Sequence, residues 1–341
     1  MEETDYNGFN DFDDFNFITK LLDDDTKIND SPLEIIDDER NKNAQEGEVS
    51  DEIIIKLREN NVNSYYYMYN RKSINKEFYD ALRCNNSLNT LFLCINMELD
   101  LNPLSDIFKS YLTNIQILNL SRNLIQNADN LFEGLKNNVS LTYLNLSSNQ
   151  LSNVSSMCDY LIDNKNLKIL DISYNNITNI DEFENVLTHN KCLEELNIGH
   201  NDICDIEEGG GIIKFCDGLK NNNTLRVLYM EQIKLTNINP LFESLLHNTA
   251  LAVLNLYMND ETNLNVDYLE KFFIENKGLN KLSLRRTGIK DIQKLCNGLI
   301  HNTTLAYLDL QVNELNEEQL HYLEKVMQEN IILETVLVNK I

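Results

Sequence analysis

The sequence predicts an α/β solenoid, with a curved parallel sheet on the concave side and helices on the convex side, behind a disordered acidic N-terminal tail. Three observations carry this. A segment of the form LxxLxLxxNxL recurs along the chain, opened by leucine or isoleucine at positions 88, 115, 141, 167, 193, 225, 251, 279, 305 and 333. The intervals are 27, 26, 26, 26, 32, 26, 28, 26 and 28, so one structural unit is repeated with a single insertion. Two asparagine columns keep step with it, and each segment is followed by apolar residues at helical spacing, such as Ile289, Ile292, Leu295 and Leu299.

Within the segment the second and third leucines stand two apart, so they point to the same side of a short strand and into a core. The helical stripe that follows covers the strand, and a stack of such units buries one continuous core that no single unit could build. The first asparagine column is Asn96, Asn123, Asn149, Asn175, Asn201, Asn259 and Asn313. An amide both donates and accepts, so this column suits a buried turn whose backbone groups have no strand or helix partner. The second column is Asn85, Asn138, Asn164, Asn190, Asn222, Asn248, Asn276, Asn302 and Asn330, three residues before the opening leucine. Its place at the end of each helix predicts left-handed C-terminal caps.

Residues 49–341 are thus expected to form the solenoid, with ten repeats from 88, the last one truncated. VNSYYYMYN from Val62 fits as a degenerate earlier repeat with tyrosines in place of leucines. A cap helix at about 50–60, opened by Ser50 and favoured by Asp51 and Glu52 in its first turn, is expected to close the N-terminal end. The last strand, around Val336 to Val338, has no following helix to cover it and leaves an edge open to pairing or to solvent, so the oligomeric state stays open. The 32-residue interval holds Glu207, Glu208 and Gly209 to Gly211, which read as a flexible surface loop because no GK[ST] follows and the carboxylates would repel phosphate.

Residues 1–48 carry 16 acidic and 4 basic side chains, a net charge of −12. So charged a segment is expected to be disordered on its own. Phe9, Phe12, Phe15 and Ile18 recur every three residues within it. It reads equally as a solubilising tail or as a docking segment for a partner or for the basic positions 281, 285 and 286.

The whole chain of 341 residues carries a formal charge of −25 and a pI near 4.5, which disfavours nucleic acid and anionic membranes and favours a partner protein with a basic surface. The first residues show no signal-peptide pattern, and seven scattered cysteines without CxxC spacing point to a reducing, cytoplasmic setting. The five histidines fall in different repeats, and no nucleophile, phosphate-binding or zinc motif is present. No cofactor, metal or catalytic activity is expected.

Binding is expected on the concave strand face, whose outward residues are the third, fifth and seventh of each motif. Ten strands at about 4.8 Å span roughly 45 Å, room for a protein partner rather than a metabolite. The residues expected to contact it are Tyr143, Ile169, Tyr229, Tyr257, Lys281, Arg285, the adjacent Arg286, and Tyr307.

From about residue 62 onward, the LxxLxLxxN strands with their helical segments resemble the ribonuclease-inhibitor-like branch of leucine-rich-repeat proteins. That branch includes ribonuclease inhibitor, innate-immune sensor arrays, tropomodulin-like caps and Ran GTPase-activating proteins. The resemblance implies a non-enzymatic interaction scaffold. An alternative follows from the Ran-activating group, which places an activating arginine after an early strand and before a helix. Arg71, between Asn70 and INKEFYDAL, occupies such a place and would make the chain an activator of a small GTPase.

Overall fold

The computed structural model describes residues 35–37, 49, 51–68, 74–95, 99–203, 212–235, 237–259, 266–290 and 292–339. Ser50, Asn70, Arg71, Asn96, the aromatic positions between 9 and 22 and the Glu207–Gly211 loop lie outside them. Among the described residues twelve strands form one open, all-parallel sheet in the order β1 to β12, every neighbour in space being a neighbour in sequence. The strands are β1 (Ile35–Asp37), β2 (Ser64–Met68), β3 (Thr90–Cys94), β4 (Ile117–Asn119), β5 (Tyr143–Asn145) and β6 (Ile169–Asp171). They continue with β7 (Glu195–Asn197), β8 (Val227–Tyr229), β9 (Val253–Asn255), β10 (Lys281–Ser283), β11 (Tyr307–Asp309) and β12 (Thr335–Leu337). The intervening helices are α1 (Asp51–Arg58), α2 (Lys76–Cys84), α3 (Leu101–Ser110), α4 (Asp129–Leu135), α5 (Ser155–Asp163) and α6 (Phe183–His189). The rest are α7 (Ile212–Asn221), α8 (Asn239–Leu245), α9 (Val266–Glu275), α10 (Gln293–His301) and α11 (Glu317–Glu329).

Strand register follows the motif without a slip. Tyr143, Leu144 and Asn145 pair with Ile169, Leu170 and Asp171, and the same three motif positions align on every strand from β4 to β12. The inward leucines, for instance Leu144 and Leu146 in one repeat and Leu170 and Ile172 in the next, are completely buried. Helix residues such as Phe132, Phe183 and Phe242 close the core from the other side and join one continuous apolar cluster. In the repeat opened by Leu279, Ile289 and Ile292 precede α10 instead of lying in it, yet both are buried beside Leu295 and Leu299. A loop can thus carry part of the apolar stripe that the sequence attributes to a helix.

At the N-terminal end α1 buries Ile53, Ile54 and Leu57. Val62 and Tyr65 are fully buried, and β2 pairs with β3 over five residues. The strand β1 pairs in parallel with β2, Ile35 opposite Ser64. It extends the sheet past residue 49, the N-terminal limit expected for the solenoid. Charge averaged over a 48-residue window masks a short β-branched run of this kind.

The two asparagine columns turn out to be two ladders of hydrogen bonds between repeats. In the first, Asn175 Nδ2 donates to the carbonyls of Leu146, in the preceding repeat, and of Ile172 in its own. Its Oδ1 accepts from the Leu151 N–H of the preceding repeat. Asn149, Asn201, Asn259 and Asn313 bond in the same way. Where threonine replaces asparagine at 287, its hydroxyl donates to Leu284 O.

The second column departs from expectation. Asn85, Asn164, Asn190, Asn302 and Asn330 cap their helices with extended backbone, as in Asn164 (φ −70°, ψ 136°) and Asn302 (φ −74°, ψ 139°), not left-handed. They act through their side chains. Asn302 Nδ2 donates to Phe273 O of the preceding repeat, while Oδ1 accepts from the N–H groups of Thr304 and Leu305. Asn190, Asn222, Asn248, Asn276 and Asn330 reach back likewise. An extended backbone aims the amide at the neighbouring helix end, where carbonyls lack partners, and so serves two repeats at once.

Candidate protein-binding face

The face of the sheet away from the helices is made of the third, fifth and seventh motif positions. Among the fifth-position residues, Asn145, Asp171, Asn197, Asn255 and Asp309 each accept the N–H of the residue two places on. The sequence template treats them as outward contacts, but their side chains close the turn at the end of each strand. Asp171 takes both the N–H and the hydroxyl of Ser173, and burial nevertheless pushes its carboxyl above the usual aspartate range. Burial likewise raises Asp309, against the pull of its bond from Gln311 and of nearby Arg285.

The residues expected to contact a partner divide into two groups. Tyr143 and Ile169, expected as exposed anchors, are only 5% and 4% exposed. They sit side by side in register on β5 and β6, with Ile117 on the next strand, and the tyrosine hydroxyl accepts from Asn145 Nδ2. Adjacent bulky side chains about 4.8 Å apart cover one another, so these two pack the face instead of standing out from it. Tyr229, Tyr257, Lys281, Arg285 and Tyr307 are partly exposed, and Arg286 is exposed. They gather on β8 to β11, where the Arg285 guanidinium lies 5.3 Å from the centre of the Tyr257 ring and donates to Gln311 Oε1 at 3.3 Å.

An eighth motif position, which the sequence template does not single out, also contributes. Arg122, Ser148, Tyr174, His200, Gln232, Met258, Arg286 and Val312 all have left-handed backbone, with φ between 48° and 60°. No glycine marks this row, so no sequence signal for it existed. Its side chains line one rim of the face. Tyr174 and His200 stack there with ring centres 3.8 Å apart and planes within 10°. Burial holds His200 below the ordinary histidine range, opposed by a hydrogen bond that the ring donates to Gln232.

Among the described residues no group of three or more histidine, cysteine, aspartate or glutamate side chains could hold a metal. A groove of about 480 Å³ lies between the loops leading into α3 and α4. Its amides and acids bond to one another, Asn130 to Asn102, Asn102 to Asp100 and Asn127 to Asp129. Six cysteines of the described residues are free thiols, and no helix among those residues is long and apolar enough to cross a membrane.

Two family profiles match the chain, one described as Leucine Rich repeats (2 copies) over residues 165–208 and one as Leucine Rich repeat over residues 137–155. The chain is a leucine-rich-repeat protein. The matched residues hold both asparagine ladders complete, in repeats spaced at 26 residues until the longer match enters the 32-residue interval after Leu193. No curated protein matches this leucine-rich-repeat chain. Among solved structures it is similar to an internalin from Listeria monocytogenes, with TM-score 0.52 and 15% identity over 87% of this chain and 85% of that one. An internalin C2 from the same organism gives TM-score 0.42 and 20% identity, with 84% of each chain covered. The first of these likenesses is one of fold.

Proposed function

We propose that this leucine-rich-repeat protein is a non-enzymatic interaction scaffold that holds a protein ligand on the outward sheet face of β8 to β11, part of the face expected to be concave. The observation that carries the proposal is the run of Tyr229, Tyr257, Arg285 and Tyr307 through the adjacent repeats of β8 to β11, with Arg285 against the Tyr257 ring. Tyrosine and arginine anchor protein interfaces because tyrosine joins a large, stiff apolar ring to a polar tip and arginine joins an apolar stem to a planar guanidinium with five donors. A broad, regular sheet face suits a macromolecule, whereas small ligands favour an enclosed cleft. The free thiols at Cys84 and Cys192, which are not fully buried, fit a reducing compartment.

The test is affinity capture by the full chain, comparing wild type with a Tyr229→Ala, Tyr257→Ala, Tyr307→Ala variant whose circular dichroism matches wild type. Recovery of the partner is expected to fall at least about tenfold, the effect of losing hot-spot anchors. Unchanged recovery would remove this face from the interaction.

A further inference from the structure

The charges on this face are ordered. In the third-position row the register runs Glu195 on β7, Val227 on β8, Val253 on β9 and Lys281 on β10. In the seventh-position row Glu231 follows β8, Tyr257 follows β9 and Arg285 follows β10. Both rows therefore read carboxylate, apolar or aromatic spacer, cation, in the same direction across the strands. Arg286, next to Arg285, adds a third cation to the β10 repeat. Position 199, beside Glu231, is a glycine, and a Cβ there would come within 2.7 Å of the glutamate side chain. The glutamate lies across the strand that this glycine leaves open.

Asp171 and Asp309, in the row between these two, hold turn N–H groups, so the third- and seventh-position rows carry the order of charge across the strands. The polarity is thus set by Glu195 and Glu231 at one end and by Lys281, Arg285 and Arg286 at the other. In a chain of net charge −25, three cations within six residues on one outward face are a local reversal of sign.

We infer that the partner segment held on this face is a charge-segregated peptide that crosses the strands, with its carboxylates over β10, its cations over β7 and β8, and apolar side chains between. The inference rests on the proposed interaction face and specifies what occupies it. Strands β7 and β10 are three strand spacings apart, about 14 Å, which an extended peptide covers in roughly four residues. Charge order of this kind selects orientation and partner more than it raises overall affinity, because the wrong order sets like charges against each other.

Two fluorescein-labelled dodecapeptides of one composition test it: four glutamates, four apolar or aromatic residues and four lysines, either segregated in that order or with the charges alternating at both ends. Net charge is equal, so only order differs. With the full chain at about 0.1 M salt, the segregated peptide is expected to bind about tenfold tighter by anisotropy, and the preference to shrink as salt screens it. Lys281→Glu with Arg285→Glu abolishes the preference. Adding Glu195→Lys and Glu231→Lys restores it, since the face again carries opposite ends, and this restoration also shows that the variants fold. Equal binding of the two peptides, binding of neither, or a preference indifferent to charge reversal overturns the inference. Partner capture that depends on the tyrosines while the peptides bind equally leaves the face standing and removes the charge order.

Discussion

The side-chain Oδ1 of Asn149 accepts the backbone N–H of Asn123 at 2.9 Å, joining two repeats 26 residues apart. The same oxygen accepts from Ile125, and the amide nitrogen donates to Leu120 and Leu146 carbonyls. Asn149→Ala leaves these buried groups without partners and is expected to destabilise the protein by about 1–3 kcal/mol in urea unfolding. Amide exchange of Asn123 and Ile125, in the preceding repeat, should accelerate more than that of distant repeats. Uniform acceleration along the chain would contradict a nearest-neighbour role.

Gly134 sits where α4 meets α3, and a Cβ there would lie 2.6 Å from the Ser105 carbonyl oxygen and 2.7 Å from its Cα. The obstacle is backbone, which cannot rotate away. Gly134→Ala is expected to cost about 1–3 kcal/mol through overpacking, although alanine is the better helix former. A rise in the unfolding midpoint would show that the helices separate freely.

The left-handed row predicts opposite effects of two substitutions at Ser148, whose φ is 54°. Ser148→Gly removes a steric penalty of about 1–2 kcal/mol and adds about 0.5–1 kcal/mol of chain entropy, for a small net gain. Ser148→Val places a β-branched side chain in the same conformation and should destabilise by about 1–2 kcal/mol. Thermal unfolding of the pair at one pH checks the sign of each.

Asp171 gives a prediction in pH. Its folded-state pKa is raised, first by burial, so its stabilising protonated form is fully present below the unfolded-state value. That stability is lost as pH rises through the raised folded value, and at neutral pH the group opposes folding. Asp171→Asn keeps an acceptor for the Ser173 N–H and matches Asn145 and Asn197 on either side. The variant is expected to unfold at higher temperature than wild type at pH 7, with the difference vanishing as pH falls into the ordinary aspartate range. A difference that grows on acidification would refute the assignment.

The sequence shows the repeat and its inward leucines plainly, because burial demands apolar side chains at fixed spacing. Asn175 and Asn302 are conspicuous for a related reason: only a side chain that donates and accepts can serve a turn and its neighbour together. What Asn302 does with its backbone is not legible, since asparagine is equally at home in extended and left-handed conformations. Neither is the row from Arg122 to Val312, where ladder bonds such as Ser148 N–H to Ser173 O hold left-handed geometry on residues that do not prefer it. Tyr143 and Ile169 were legible as outward but not as covered. Alternation fixes the side of a sheet on which a residue stands, whereas its neighbours on other strands fix how much of it remains in contact with water.

The two ladders bracket each strand, and they divide the chain into parts that tolerate growth and parts that do not. From the helix-end position to the turn position the distance is 11 residues in every repeat, as from Asn138 to Asn149, Asn164 to Asn175 and Asn302 to Asn313. From the turn asparagine onward to the next helix end it varies, 15 residues from Asn123 to Asn138, 17 from Asn313 to Asn330 and 21 from Asn201 to Asn222. One added residue inside the shorter stretch would throw both amides out of line with the neighbouring repeats. On the helical side the same addition only widens a loop, at an entropic penalty that rises slowly with length. New surface can therefore be acquired at the connections between turn and helix without altering the order of side chains on the sheet face, and the longest interval of this chain, from Asn201 to Asn222, falls on that side.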